Sequence, residues 1–312
     1  MSNSTDPPDL AAWSLHCFCI GARSTPHHVI AADDNGRLLW HARHGTTRAQ
    51  LRRLGIACHE SQVLLLRAYG LLQVDHEVIR TSFAAFGSEE MATIRAQVFV
   101  RGAALAGEVA DDAQRIVGTL AQSGHAAHAY ALVFGHALDG ATWNVLNARQ
   151  ALPVTTLSIE RPFWNGAFWA VHPPRAHPAG TNEVTVGAQT LVTVWTDASL
   201  KGLDALATRW RSEQTLIVPT VRQTESDPLH AISAAIGERT AFAIDALAAE
   251  LHASHRETCS LATLRLIVGH ELIWETAERL VQLGAMTAPR ALTIGDASRA
   301  ELTALTYLRV DD

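Results

Sequence analysis

Leu51–Leu72, LRRLGIACHESQVLLLRAYGLL, is the stretch on which the reading of this chain turns. An apolar segment closes at Gly55, a second begins near Glu60, and Gly70 stops it before the pair Leu71-Leu72. Glycine accepts the positive φ that ends a helix and is common just past a helix C-terminus. The pattern therefore predicts helix, tight turn, helix, stop. Upstream, Thr46 or Thr47 supplies an N-cap for a helix over Arg48–Leu54. Downstream, LLQV and VIRTSF flank a polar break at Asp75-His76-Glu77 and predict a β-hairpin.

Helix, turn, helix and β-ribbon in this order resembles the winged helix-turn-helix superfamily over residues 43–86. The resemblance implies that Glu60–Tyr69 is the candidate recognition helix and that Arg80 lies on the wing. A nucleic-acid partner would then meet Arg48, Arg52, Arg53, Gln62, Arg67 and Arg80. Arginines outnumber acidic residues between 41 and 87, which suits phosphate. Against that, Val63, Leu64, Leu65, Leu66, Ala68 and Tyr69 leave the helix little polar flank for base edges, and a helix apolar nearly all round is normally buried on more than one side. Winged helices that bind a protein or peptide, or that only pack, remain open alternatives. Arg265–Met286, RLIVGHELIWETAERLVQLGAM, repeats the glycine punctuation at Gly269 and Gly284 and is read as a degenerate second copy. Glu271, Glu275 and Glu278 share one helical face there and would repel phosphate, so that copy would pack or dimerise.

Composition bounds the rest. The chain has 312 residues, 48% of them apolar, which is enough for more than one core and too much for disorder. A net charge of −6 gives no global footprint for non-specific nucleic-acid binding, though one basic face is compatible with it. Four cysteines at Cys17, Cys19, Cys58 and Cys259 show no framework spacing and read as reduced thiols. Asp6 and Asp9 stand where a signal peptide carries positive charge, and His136 and Asp139 interrupt the apolar run 126–146. The expectation is a cytoplasmic protein without a membrane partner.

Outside the hairpin of helices, Asn35-Gly36 between His28–Ala32 and Arg37–Ala42 predicts a β-hairpin. Ser88–Gln122 predicts a long helix opened by acidic residues, and a second helix is expected from Ser123 to about Asn147. TNEVTV and TLVTVW predict a hairpin around Gly187, Leu200–Arg211 a helix, TLIVPTV a buried strand, and 228–283 helix. Together these give an α+β protein: a winged-helix-like unit (1–87), a central unit with a helix pair and a small antiparallel sheet (88–225), and a helical unit (226–312).

Two groups of residues carry possible chemistry. His125, His128, Leu132, His136, Asp139 and Trp143 fall on one face at helical spacing, within otherwise apolar sequence. His136 and Asp139, with His172 or another histidine such as His177 or His270, are candidate ligands for a divalent transition metal, which would make the protein a metal-dependent enzyme. Packed or hydrogen-bonded core histidines account for the same pattern. His270-Glu271 lacks the second histidine of a metalloprotease helix, because Trp274 occupies that place. HCFC at 16–19 with His27-His28 is read as a strand before it is read as a zinc site. No phosphate-cradling glycine loop, nucleophile elbow or dinucleotide fingerprint occurs.

The second group is RPFWNGAFWAVHPPRAHPAGTN, 161–182. Trp164, Trp169, His172 and Arg175, with Trp143, are candidate ligand-binding residues, because aromatics combine large apolar area with polar handles and arginine pairs with oxyanions. An irregular loop pinned by aromatics over a sheet explains the segment equally well. The expected function is a binding or regulatory protein with a ligand pocket in this central region. Its macromolecular partner would be a protein, peptide or DNA, with a homodimer as an open alternative. A metal-dependent enzyme and a structural subunit of a complex are the alternatives.

Overall fold

A computed structural model of the chain describes residues 6–18, 24–159 and 161–310, so Cys19 of the HCFC stretch lies outside the described residues. A 3-10 turn at Leu10–Ala12 leads into β1 (Ser14–Phe18), and α1 (His27–Ile30) and α2 (Asn35–Ala42) follow. Next come β2 (Thr46–Thr47), α3 (Arg48–Arg53), α4 (Glu60–Ala68), β3 (Leu72–Asp75), β4 (Val78–Thr81) and β5 (Ala84–Phe86). The long α5 (Ser88–Gln122) precedes a 3-10 turn at Ala126–His128, a π-helix at Ala131–Ala141 and α6 (Thr142–Ala148). Then follow β6 (Ala167–Val171), β7 (Ala179–Val186), β8 (Gln189–Thr196), α7 (Leu200–Glu213) and β9 (Thr220–Arg222). The chain ends with α8 (Pro228–His255), α9 (Leu261–Gln282), a 3-10 turn at Arg290–Leu292, α10 (Arg299–Thr303) and β10 (Thr306–Val310). The class is α+β with small sheets, and no described helix is long and apolar enough to cross a membrane.

The chain forms two compact units, each drawn from three segments. The first comprises residues 1–96, 152–175 and 248–267. Its start signals are those the sequence announces: Thr47 accepts from the Gln50 N–H at 3.2 Å, and the Gln50 side chain accepts in return from the Thr47 N–H at 2.8 Å. This reciprocal cap fixes the start of α3. Gly55 and Gly70 take positive φ, 68° and 62°, and end α3 and α4 as expected. Both turns are then closed by a backbone bond reaching past the glycine, Ile56 N–H to Leu51 C=O and Leu71 N–H to Leu66 C=O. The expected hairpin β3–β4 forms, with Asp75 opposite Val78 and Leu72 opposite Thr81, and β2 joins it on the β4 side, giving the order β2-β4-β3. A second sheet has β6 in its centre, antiparallel to β1 and parallel to β5. Leu38, Leu39, Leu51, Val63, Leu66, Ile79, Trp164 and Phe168 belong to one buried cluster that these elements share.

Two expectations for this unit fail. Asn35-Gly36 does not turn a hairpin; it begins α2, and His27–Ile30 is helical as well. Asn35 is buried, donates to the Val29 carbonyl at 2.7 Å and accepts from Gln62 at 3.3 Å, so its side chain ties two segments together and does not serve a local turn. The aromatic stretch is not only loop: Ala167–Val171 is the fully buried central strand β6. A strand covered on both faces shows no alternation to read.

The second unit comprises residues 97–151, 176–247 and 268–312. Its sheet runs β7-β8-β10-β9, with β9 parallel to β10 and the other pairs antiparallel. Leu206, Ala207 and Trp210 of α7 pack with Leu191 of β8 and Leu308 of β10. The predicted hairpin at Gly187 and the helix α7 are present. TLIVPTV is not a buried strand: only Thr220–Arg222 pairs, and Ile217 is 88% exposed. The expected helix after Ser123 is broken into a 3-10 turn, a π-helix and α6.

The degenerate second helix-turn-helix is absent. Gly269 lies inside the uninterrupted helix α9, and only Gly284, at φ 70°, ends a helix. Gly269 answers a packing demand, since a Cβ there would sit 2.6 Å from the Trp143 ring. Gly237 of α8 is the parallel case, with a Cβ only 2.7 Å from Ala141 Cβ. Both glycines let a neighbouring helix approach closely.

Candidate functional site

In the first unit, α3, α4 and the β3–β4 hairpin present the residues assigned to a macromolecular partner. Ser61, Leu64, Leu65 and Ala68 recur at i, i+3, i+4 and i+7 and are all exposed, so they form the outward face of α4. Leu64 is 55% and Leu65 42% exposed. The expectation that α4 is buried on more than one side is thus corrected; its opposite side, with Val63 and Leu66, carries the core contact.

Gln62 is not available to a nucleic acid. It is buried, its amide oxygen accepts from the His59 N–H at 2.9 Å and its amide nitrogen donates to Asn35. Arg48 donates to Glu60 at 2.6 Å, which joins the first turns of α3 and α4. Arg52, Arg53, Arg67 and Arg80 are exposed and make no ion pair among the described residues. The unpaired charge that α3 and α4 expose is therefore positive, and α4 also exposes an apolar ridge.

The candidate ligand residues separate. Trp164, Trp169, His172 and Arg175 belong to the first unit and Trp143 to the second. Trp169 stacks on His16, with ring centroids 5.4 Å apart, in the sheet formed by β1 and β6. His172 lies 5.6 Å from Trp13, and its N–H extends the pairing of β6 by donating to Phe86 C=O. Trp164 is buried, donates to the Tyr69 carbonyl at 2.8 Å and holds the Arg161 guanidinium 5.6 Å from its ring. It lines a cavity of about 350 Å³ together with Arg161, Gln73, Ser82, Thr258 and Thr263. Arg161 opens the aromatic segment, yet only the folded chain shows it facing these hydroxyls.

The polar centre of the second unit is the π-helix, buried from Ala131 to Asp139. π-helices are rare and concentrate where a helix has been distorted for function. His136 packs against Tyr307 and His230, with ring centroids 5.4 and 6.0 Å away. Its Nε2 has no hydrogen-bond partner among the described residues. Burial, followed by the neighbouring His230 and Arg309, pushes its pKa down to about 3, so the ring stays neutral.

Asp139 points elsewhere. It accepts from the Trp143 indole at 2.5 Å and the Thr181 hydroxyl at 2.6 Å, and burial raises the pKa of its carboxyl. His128 is bonded to the Thr306 carbonyl at 2.9 Å. The histidine stripe is thus distributed among separate partners. Among the described residues no three His, Cys, Asp or Glu side chains are grouped to hold a metal ion, around His136 and Asp139 or elsewhere. The His270 ring lies tilted against Trp143, with centroids 4.8 Å apart, and its proximity to Asp139 opposes the larger effect of burial on that carboxyl. Comparison with protein-family models, with curated proteins and with solved structures gives no match for this chain.

Proposed function

We propose that Asn35–Thr81 is a winged helix-turn-helix that docks a protein partner, and that the chain is a binding or regulatory protein. The order of α2, β2, α3, α4, β3 and β4, with the sheet order β2-β4-β3, supports the winged-helix reading. The observation that carries protein docking over DNA reading is the outward face of α4. A helix in the major groove needs polar side chains at base edges. Here the central exposed positions are Leu64 and Leu65, and the one amide, Gln62, is turned inward. An apolar ridge on α4, with exposed Arg67 on the same helix and exposed Arg52 and Arg53 on α3, suits an amphipathic segment whose apolar residues meet the leucines and whose carboxylates meet the arginines.

The test compares wild type with a Leu64→Asp/Leu65→Asp double variant of matched circular dichroism, both recovered from the native host after cross-linking. A partner should be joined to α4 through an acidic, apolar segment in the wild type and be lost in the variant. If both recover the same partner at the same yield, docking through α4 is wrong. A salt-sensitive shift of DNA fragments that Arg52→Gln and Arg67→Gln abolish would place nucleic acid there instead.

A further inference from the structure

We infer that the cavity beside Trp164 in the first unit is a binding site for a small oxyanion, a carboxylate or a phosphate group on a compact ligand. Its volume, about 350 Å³, lies within the range of small-molecule sites. Among the described residues of its lining, Arg161 is the only charged one and none is an aspartate or glutamate. The guanidinium is held in a defined place. It lies over the Trp164 ring, and its carbon would be 3.4 Å from a Cβ built on Gly70, so Gly70 leaves room for it. No described carboxylate pairs with it. A planar guanidinium fixed on an indole offers its N–H fork to an oxyanion without first losing rotational freedom.

The opposite side of the cavity adds to the same polarity. Thr258 and Cys259 precede α9, and Thr263 lies in its first turn. The Thr263 N–H is already taken by the Ser260 hydroxyl, at 3.2 Å. The other first-turn N–H groups of this 22-residue helix have no intrahelical acceptor and add the positive end of its dipole. Burial and the nearby Glu90 push the Cys259 thiol up to about 12, so it brings no competing negative charge. Ser82 donates to the Gly70 carbonyl, and the Thr263 hydroxyl pairs with the Ser260 hydroxyl at 3.1 Å. The Thr258 hydroxyl, and that of Thr263 where it accepts from Ser260, can then donate to a ligand. The site is independent of what α4 docks, because none of Ser61, Leu64, Leu65 or Ala68 lines it.

The experiment is calorimetric titration of the full chain, in chloride buffer free of other oxyanions, with inorganic phosphate and separately with benzoate. One or both should bind in equimolar amount and change tryptophan fluorescence through Trp164. Binding by phosphate alone or by benzoate alone identifies the headgroup. Arg161→Gln should weaken binding roughly tenfold or more, as loss of a charge-assisted hydrogen bond does. Arg211→Gln, on the exposed side of α7 and outside the cavity, should leave it unchanged. Thr263→Val provides a second variant should Arg161→Gln fail to fold, and it too should weaken binding. The inference is overturned if neither anion binds below about 10 mM, or if the folded cavity variants bind as the wild type does.

Discussion

His136 is an imidazole held among hydrocarbon and aromatic neighbours, and its cost to the fold depends on pH. The folded ring has a pKa near 3, set first by burial, then by His230 and Arg309, with Asp227 opposing. The unfolded ring titrates near the ordinary 6.5. Below that value the unfolded chain takes up a proton that the folded chain refuses. Stability is therefore full above about pH 6.5 and falls as the pH drops, by up to about 1.4 kcal/mol per unit, levelling off near the folded value. Because Nε2 is unpartnered, His136→Leu removes a buried polar atom and should be neutral or stabilising at neutral pH. Urea denaturation of both proteins between about pH 7 and about pH 4 should show the variant gaining on the wild type with acid. Parallel curves would mean that another group sets the acid limit. Asp139 behaves oppositely: Asp139→Leu strands the Thr181 hydroxyl and the Trp143 indole. Denaturation should register a loss of about 1–3 kcal/mol, and a near-zero loss would mean that water replaces the carboxylate.

Elements divide according to whether their cause is local. Gly107 in α5 meets nothing within 4 Å of a built Cβ, so Gly107→Ala should stabilise by about 0.8–1 kcal/mol through helix propensity alone. Gly237 in α8 has the same propensity deficit, but a Cβ there meets the Ala141 backbone at 2.8 Å. Gly237→Ala should destabilise by about 1–3 kcal/mol, the cost of overpacking. Thermal melts of the two variants should move in opposite directions; if both rise, α8 does not pack on Ala141 as described. The same division explains what could be read in the sequence. The caps of α3 and α4, the β3–β4 hairpin, α5 and the β7–β8 hairpin are legible because their signals lie within a few residues of the structure they cause. Asn35-Gly36 misleads because Asn35 serves Val29 and Gln62, and Gly36 admits Asp9 and Ala11, all beyond a local window. Gly269 misleads because the Trp143 ring requires it. The site follows the same rule. Trp164 stands out as an aromatic, whereas the meeting of Arg161 with Thr258 and Thr263 needs two distant segments folded together.

The whole molecule is organised so that neither unit is a continuous length of chain, and this limits how it can be divided. A cut after β4 looks natural, because α3, α4 and the β3–β4 ribbon are complete by Thr81. Yet the core beneath it includes Trp164, Phe168 and Ala170, supplied from residues 152–175. That segment also provides β6, which among the described residues is the only strand paired with β1 and with β5. Removing it exposes several large side chains worth about 1.5–3 kcal/mol each, against a total stability of about 5–15 kcal/mol for a typical domain. It also leaves the ladder groups of β1 and β5 without partners. A fragment of residues 1–96 should therefore show no cooperative urea transition and no near-ultraviolet dichroism. In the intact chain, Trp164→Ala should cost about 3–5 kcal/mol while leaving a cooperative transition. The pair of measurements separates two causes. A fragment that unfolds cooperatively, with the variant strongly destabilised, would place the importance of Trp164 in packing alone and make β6 dispensable to the first unit. A disordered fragment with a mildly affected variant would assign the dependence to the sheet. Both effects together are what a unit closed by β6 and sealed by Trp164 requires, because the strand and the indole then act on the same core from one segment.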